Sequence, residues 1–334
     1  MLYGSDLTGL VYGYVFAPGQ AGRPLDSEAA AQWLAREDAQ PEGEFAWLHF
    51  SLSNANTRKW LGESLHLPEE FYEALRESTG STRVDRAGEH VLALVNDVDY
   101  DFSFESGQIA TMWICVDERL MVSVRLHPLR SVERLRQCVR DGEEFASPLS
   151  ILAHLLRDQA EVLQRIVRNA TARLDAIEET LLAGRVLPKR YALGSLRRVL
   201  VRLRRLLSPE PRALHQLLHR PPAWFAADDA SELRDARDEF TGVLEELTLL
   251  QERAKLLQEE IVAHTNEQTN RSVFLLTMVT VIALPVNMVA GLLGMNVGGV
   301  PLNQDPEGFW YVLGLVAAIT GVAGWLAFFR RRED

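Results

Sequence analysis

Hydroxyl and carboxamide oxygens can stand in for the water shell of a hydrated cation, and this chain places several of them inside an apolar run. From Ser272 to Leu293, SVFLLTMVTVIALPVNMVAGLL, no residue is charged, yet Thr277, Thr280 and Asn287 interrupt the hydrophobicity. Together with Asn270, Val273, Leu284 and Gly291 they are spaced by steps of three, four or their sum, which keeps all seven near one face of a helix. Polar groups at membrane depth turn away from lipid, and they mark either helix contacts or a water path. Such oxygens hold a hydrated ion too weakly to trap it, as passage requires. Pro285 lies within the same run and would free a backbone carbonyl one turn earlier, a place for a kink or gate.

The run closes on Gly294, Met295 and Asn296, and a turn-rich segment follows, VGGVPLNQDPEG, that holds no lysine or arginine. Glycine at 294 permits a tight turn, and Asn296 has a carbonyl oxygen to offer an ion's water shell at a pore mouth. Gly298 and Gly299 allow unusual backbone angles, and Pro301 ends the turn. Asp305 and Glu307 would concentrate cations there by charge alone. A plainer reading makes them solvated residues of a loop.

Metal-ligating side chains are sparse. His264 falls on a heptad seam just before the apolar run, where several copies around an axis would sense metal or protons; the plainer alternative is a polar residue in a hydrated stalk. His215 and His219 stand at i and i+4, a spacing that puts two imidazoles on one helix face, but the arginines and prolines around them suit a surface pair. Cys115 and Cys138 have no CxxC partner, so they read as small buried apolar residues rather than a disulfide or zinc framework. No Gly-rich phosphate loop, GxSxG elbow or HExxH occurs, leaving an enzyme no residues to work with. A formal net charge of −11 argues against nucleic-acid binding.

The elements that must position these groups are legible by pattern. Ser272 to Leu293 and Gly308 to Phe329 are each long enough as helices, at about 1.5 Å per residue, to cross a hydrocarbon core of about 30 Å. Arg271 precedes the first span and Arg330, Arg331 and Arg332 follow the second, so the positive-inside rule puts both chain ends in the cytoplasm and the loop outside. Upstream, apolar residues recur in heptads at Leu233, Ala236, Phe240, Val243, Leu247, Leu250, Ala254, Leu257 and Ile261, with no proline between Pro222 and Pro285. This predicts one helix from about 228 to 293, a stalk that runs into the first span. The stalk is acidic, with twelve Asp or Glu against four Lys or Arg between Asp228 and Asn270. The preceding segment, Arg185 to Arg220, holds ten basic residues and one acid. These opposite charges read either as helices packed side by side or as a cation-attracting stalk surface.

Further helices are expected over 148–183 and 188–207, the latter either ending there or running on through Pro209 and Pro211 toward His219. The first 145 residues differ in texture. Short β-rich runs at 9–16, 45–52, 90–100, 109–116 and 120–126 alternate with helices at 29–35, 56–64, 68–77 and 129–141, and a hairpin around Asp117–Arg119 makes the sheet mixed. The expected class is α+β. A mixed-sheet α/β cytoplasmic domain (1–145) is followed by a long-helix bundle and stalk (146–271), a first transmembrane helix (272–293), an outer loop (294–307), a second transmembrane helix (308–329) and a basic tail (330–334).

Gly294-Met295-Asn296 between a first span and a C-terminal second span resembles the CorA superfamily of divalent-cation transporters. The continuation NVGGVP, Asn296 to Pro301, resembles its zinc-transporting ZntB branch, as do WLHFSL at Trp47–Leu52 and MVSVRLHPLRSVERLR at Met121–Arg136. The resemblance implies a CorA-like homopentamer in the inner membrane whose first spans line a pore and whose stalks form a funnel. Asn270, Val273, Thr277, Thr280, Leu284, Asn287 and Gly291 would line that pore, with Gly294, Met295 and Asn296 at its mouth. Its cargo would be Zn²⁺, with Cd²⁺, Ni²⁺ and Co²⁺ as further candidates, moved by proton-coupled uptake. The alternatives are a CorA-type Mg²⁺ or Co²⁺ channel and, in another class, a membrane-anchored scaffold or sensor. The family commonly places a threonine two residues after the proline of the first span; here that residue is Asn287, which keeps an oxygen but adds donors and changes size.

Overall fold

The computed structural model describes residues 4–36, 41–77, 82–98, 109–183, 190–295 and 306–330. It divides into two compact units, 1–258 and 259–334.

The first unit is built on a sheet of β1 (Leu10–Phe16), β2 (Arg23–Leu25), β3 (Phe45–Ser51), β4 (Arg83–Ala87), β5 (His90–Val98), β6 (Ile109–Val116) and β7 (Leu120–Arg125). Their order is β2-β1-β3-β7-β6-β5-β4. Only β3 and β7 pair in parallel, with Trp47 opposite Met121 and Phe50 opposite Val124; every other neighbour is antiparallel. Every residue of β3 and β7 is buried, as a strand pair covered on both faces requires. The expected hairpin joins β6 to β7: Asp117 Oδ1 accepts from the N–H groups of Arg119 and Leu120, both at 2.8 Å.

Helices α1 (Ser27–Leu34), α2 (Thr57–Ser64) and α3 (Glu69–Arg76) accompany one face of the sheet, where Leu48, Phe50, Leu61, Phe71, Trp113 and Val122 pack into one core. On the other face Phe16, Trp47, Met112, Ile114 and Met121 pack with residues of α4 (Arg130–Arg140), α5 (Pro148–Leu182), α7 (Glu210–His219) and α8 (Ala227–Leu293). Alternation along each strand produces this division, because successive side chains point to opposite faces. Two strands, β2 and β4, were not expected. β2 has three residues, and β4 reads RVDRA, with only Val84 buried and charged side chains turned outward. Both are sheet edges, where short length and charge suppress further pairing and also erase the hydrophobic signal.

Across the middle of the sheet runs a buried polar chain. Arg125 Nε donates to His49 Nε2 at 2.8 Å, and His49 Nδ1 lies 2.8 Å from Ser123 Oγ. A guanidinium has no acceptor, so the ring proton belongs on Nδ1 and is donated to Ser123. Trp47 Nε1 also donates to Ser123 Oγ, at 2.9 Å, and Tyr12 stacks on the imidazole at 4.7 Å. Burial, reinforced by the Arg125 and Arg136 charges, holds His49 well below the usual histidine range.

The third long helix takes the shorter of the two courses open to it. α6 (Arg190–Leu207) stops, and α7 begins afresh at Glu210, because Pro209 and Pro211 are compatible with a first turn but not with a helix interior. Glu210 is wholly buried and takes a hydrogen bond from Gln159 Nε2 at 3.2 Å. The break expected between the helices over 148–183 and 188–207 lies outside the described residues.

In α8, all the heptad positions expected to be buried are so, from Leu233 to Ile261, each at most 7% exposed. The seam is laced to its neighbours by Gln251, whose Nε2 donates to Leu200 O at 2.7 Å, and by Arg253, which pairs with Asp175 and Glu178 of α5 at 2.9 and 2.7 Å. Among the described residues no ion pair joins an α6 arginine to an α8 carboxylate. Arg204 bonds instead to Gln251 of α8 at 3.2 Å.

Candidate ion path

In the second unit, the apolar stretch of α8 is long enough to cross a membrane, with a mean hydropathy of 2.3 over its most apolar window and none of that window buried within the chain. The helix persists through Pro285, which an apolar helix tolerates when the freed carbonyl finds another partner. A second apolar helix, α9, runs Gly308–Arg330.

The two helices of this unit each carry one half-buried stripe. On α8 it consists of Phe274, Met278, Val281, Pro285 and Val289, with half-buried Ala283 standing apart on the opposite side; on α9 of Val312, Val316, Thr320 and Gly324. At about 100° per residue, the α8 stripe occupies an arc of about 80°. The seven positions expected to line a path, Asn270, Val273, Thr277, Thr280, Leu284, Asn287 and Gly291, occupy a neighbouring arc of about 100° that does not overlap it, and all seven are exposed. Val273 and Leu284 are 56% and 66% exposed, so even the apolar members find no cover within the chain.

The hydroxyls in this arc are oriented. Thr277 Oγ1 donates to Val273 O at 2.8 Å and Thr280 Oγ1 to Leu276 O at 2.9 Å. With each proton spent on the helix backbone, the oxygen turns only lone pairs outward, the polarity that a cation's water shell accepts. Asn287 makes no hydrogen bond among the described residues and keeps its amide free for either role.

At the end of α8, Gly294 N–H donates to Ala290 O at 2.9 Å. A Cβ on residue 294 would lie 2.9 Å from that same oxygen, so the closing turn is open to glycine and crowded for any other residue. Met295 is 53% exposed. Asn296, Gly298, Gly299, Pro301 and Asp305 lie outside the described residues. Glu307 is exposed at the start of α9, where its carbonyl accepts from Trp310 N–H at 3.0 Å.

His264 is exposed on α8. His215 and His219 are exposed on α7 with their rings edge to face at 4.8 Å. Among the described residues, the group of three or more His, Cys, Asp or Glu side chains close enough to hold a metal is elsewhere: Cys138, Glu143 and His154. Sequence reading set Cys138 aside as a small apolar residue; in the fold it is half-buried and faces two ligand-type side chains. Cys115 is buried on β6, as expected, and burial pushes its thiol up.

Residues 42–331 match the family model described as CorA-like Mg²⁺ transporter protein. The chain is 33% identical over 331 residues to the divalent cation transporter CmaX of Pseudomonas aeruginosa, covering 98% of this chain and 97% of that one. It is 23% identical over 303 residues to the zinc transport protein ZntB of Pectobacterium atrosepticum, covering 90% and 92%. The solved structure of full-length CmaX superposes with a TM-score of 0.80 at 30% identity, over 99% of this chain and 100% of that one. The chain therefore belongs to the CorA-like Mg²⁺ transporter family, a family of divalent-cation transporters rather than of enzymes.

Proposed function

We propose that this protein carries a divalent cation across a membrane along the polar arc of α8, with several copies, five by family resemblance, arranged so that their arcs face a common axis. The observation that carries this reading is the separation of the two arcs. Helix–helix packing within the chain would bury Thr277, Thr280 and Asn287, whereas the half-buried stripe lies to one side of them. Polar side chains left uncovered on an apolar helix need water or another copy of the chain. Self-association is supported further along the helix by Leu249 and Leu256, seven residues apart and 68% and 62% exposed. Membrane passage of α8 and α9 with both chain ends inside follows from the flanking arginines. Gly294, Met295 and Asn296 then form the outer mouth, with Asp305 and Glu307 beside it, and His264 lies toward the inner end.

Zn²⁺ is the cation we assign, on the VGGVP continuation and the likeness to ZntB, with proton-coupled uptake as the mode. A second reading, a Mg²⁺ or Co²⁺ channel, is favoured by the oxygen-only chemistry of the arc, which suits a hard ion that keeps its waters. Uptake into proteoliposomes of the purified protein separates them. Zn²⁺ uptake that rises with an inward proton gradient is the expected result. Mg²⁺ flux indifferent to that gradient would select the channel, and flux of neither ion would leave a membrane-anchored scaffold or sensor.

A further inference from the structure

Helix α4 ends in a closure that positions a side chain. Gly142 takes φ +93°, its N–H donates to Val139 O at 3.2 Å, and Glu143 N–H donates to Cys138 O at 3.1 Å. This pair of bonds is a Schellman motif, which folds the second residue past the cap back over the last turn and brings Glu143 to Cys138. Helix α5, started by a Ser147–Ser150 capping box, presents His154 and Asp158 one turn apart on the same face. His154 Nδ1 is 3.2 Å from Glu143 Oε1, and its Nε2 is 3.5 Å from Asp158 Oδ2. Phe145 meets the imidazole edge to face at 5.4 Å and fixes its plane.

Cys138, Glu143 and His154 each offer a ligand atom, and these atoms lie within 4.8 Å of one another. Asp158 is 4% exposed. Its Oδ1 pairs with Arg134 at 3.2 Å, while its Oδ2 accepts no hydrogen bond among the described residues. An orphaned carboxylate oxygen buried behind an imidazole is the arrangement that holds the ring N–H of a metal-ligating histidine.

We propose that Cys138 Sγ, Glu143 and His154 Nδ1 bind a Zn²⁺-class divalent cation, with Asp158 as the positioning residue that holds the imidazole through Nε2–H. The donor set selects the ion: thiolate and imidazole favour Zn²⁺, Co²⁺ or Cd²⁺ and disfavour Mg²⁺ and Ca²⁺, which take oxygen. Three protein ligands leave one tetrahedral position for water. Bonds of about 2.0–2.3 Å place ligand atoms about 3.3–3.8 Å apart, so the group closes by about an ångström, and the exposed Glu143 side chain is free to supply that movement. The cysteine proton leaves to solvent as the metal enters. The site lies wholly in the first unit and does not depend on the ion path proposed for α8.

Full-length protein, purified in detergent with chelator and then titrated with Co²⁺, tests this. A thiolate-to-cobalt charge-transfer band should appear, saturate at one ion per chain, and vanish on adding Zn²⁺ but not excess Mg²⁺. Oxygen ligands along α8 cannot generate that band, so cobalt bound there does not interfere. Cys138→Ser should abolish the band and Cys115→Ser should leave it. Glu143→Gln, at an exposed site where folding is not at stake, should weaken Co²⁺ binding, and Asp158→Asn should retain the band with Zn²⁺ affinity lowered about 10- to 100-fold. No band in the unaltered protein, or a band that survives Cys138→Ser, would overturn the site. Unchanged affinity in Asp158→Asn would overturn the role given to Asp158.

Discussion

Helix α8 carries two stripes of helical spacing that meet opposite fates. From Leu233 to Leu257 the stripe is apolar and buried in the first unit; from Asn270 to Gly291 it is mixed, polar at its key positions, and exposed in the second. Backbone geometry is the same in both, so the difference lies in what each stripe can find to cover it. The first is satisfied by α5, α6 and the sheet of its own chain. The second, set in an apolar stretch with none of its most hydrophobic window buried, calls for partners outside the chain.

The largest effect should come from the buried stripe. Phe240 is 1% exposed, and Phe240→Ala should cost about 3–5 kcal/mol of stability through lost burial and a cavity, read by denaturant or thermal unfolding in detergent. The exposed stripe should behave in the reverse manner. Thr277→Val combined with Asn287→Leu should lower cation flux in proteoliposomes at least about tenfold, roughly 1.4 kcal/mol of barrier, while shifting unfolding by no more than about 0.5 kcal/mol. A double variant that unfolds as Phe240→Ala does would mean the two stripes are alike and would remove the ion path.

A third measurement sharpens the boundary of the first unit's core through pH. His49 is held neutral in the fold, below its unfolded value near ~6.5. Its contribution to stability is therefore complete above that pH and is lost as pH falls below it, because the unfolded chain takes up the proton first. Asp97 and Asp158, both raised by burial to about 6, act in the opposite sense over roughly pH 4–6. Comparison of wild-type protein with His49→Gln isolates the histidine: the stability advantage of wild type should shrink by up to about 1.4 kcal/mol per pH unit below ~6.5. A difference that does not change with pH would show that His49 takes up its proton as readily in the fold as in the unfolded chain.

The smallest effect belongs to the stalk's rim. Arg253 is paired with Asp175 and Glu178 but is 44% exposed, so Arg253→Ala should cost only about 0.2–1 kcal/mol, less in high salt. A larger loss would place the α5–α8 contact on electrostatics rather than on the seam.

Patterns of period two and period three to four were enough to read most elements. β3, β5, β6 and β7, the long helices, and every buried position of the α8 seam follow from hydrophobic spacing, since burial of a continuous face leaves a periodic trace. β2 and β4 left none, being short charged edges. The break before α7 was ambiguous because proline suits a first turn as well as a linker, and only the fold decides it, ending α6 at Leu207 and starting α7 at Glu210. The polar arc of α8 was visible as spacing, but its independence from the chain's own packing was not.

Cys138, Glu143 and His154 mark the other limit. Their separations match no ligand motif, because a left-handed turn at Gly142 and the packing of α5 against α4 bring them together. Sequence by itself determined which residues lie on which face of each helix and strand, since that depends only on local backbone period. Which faces are covered, and which distant side chains meet, depends on contacts between elements far apart in the chain, and those were decided by the tertiary structure.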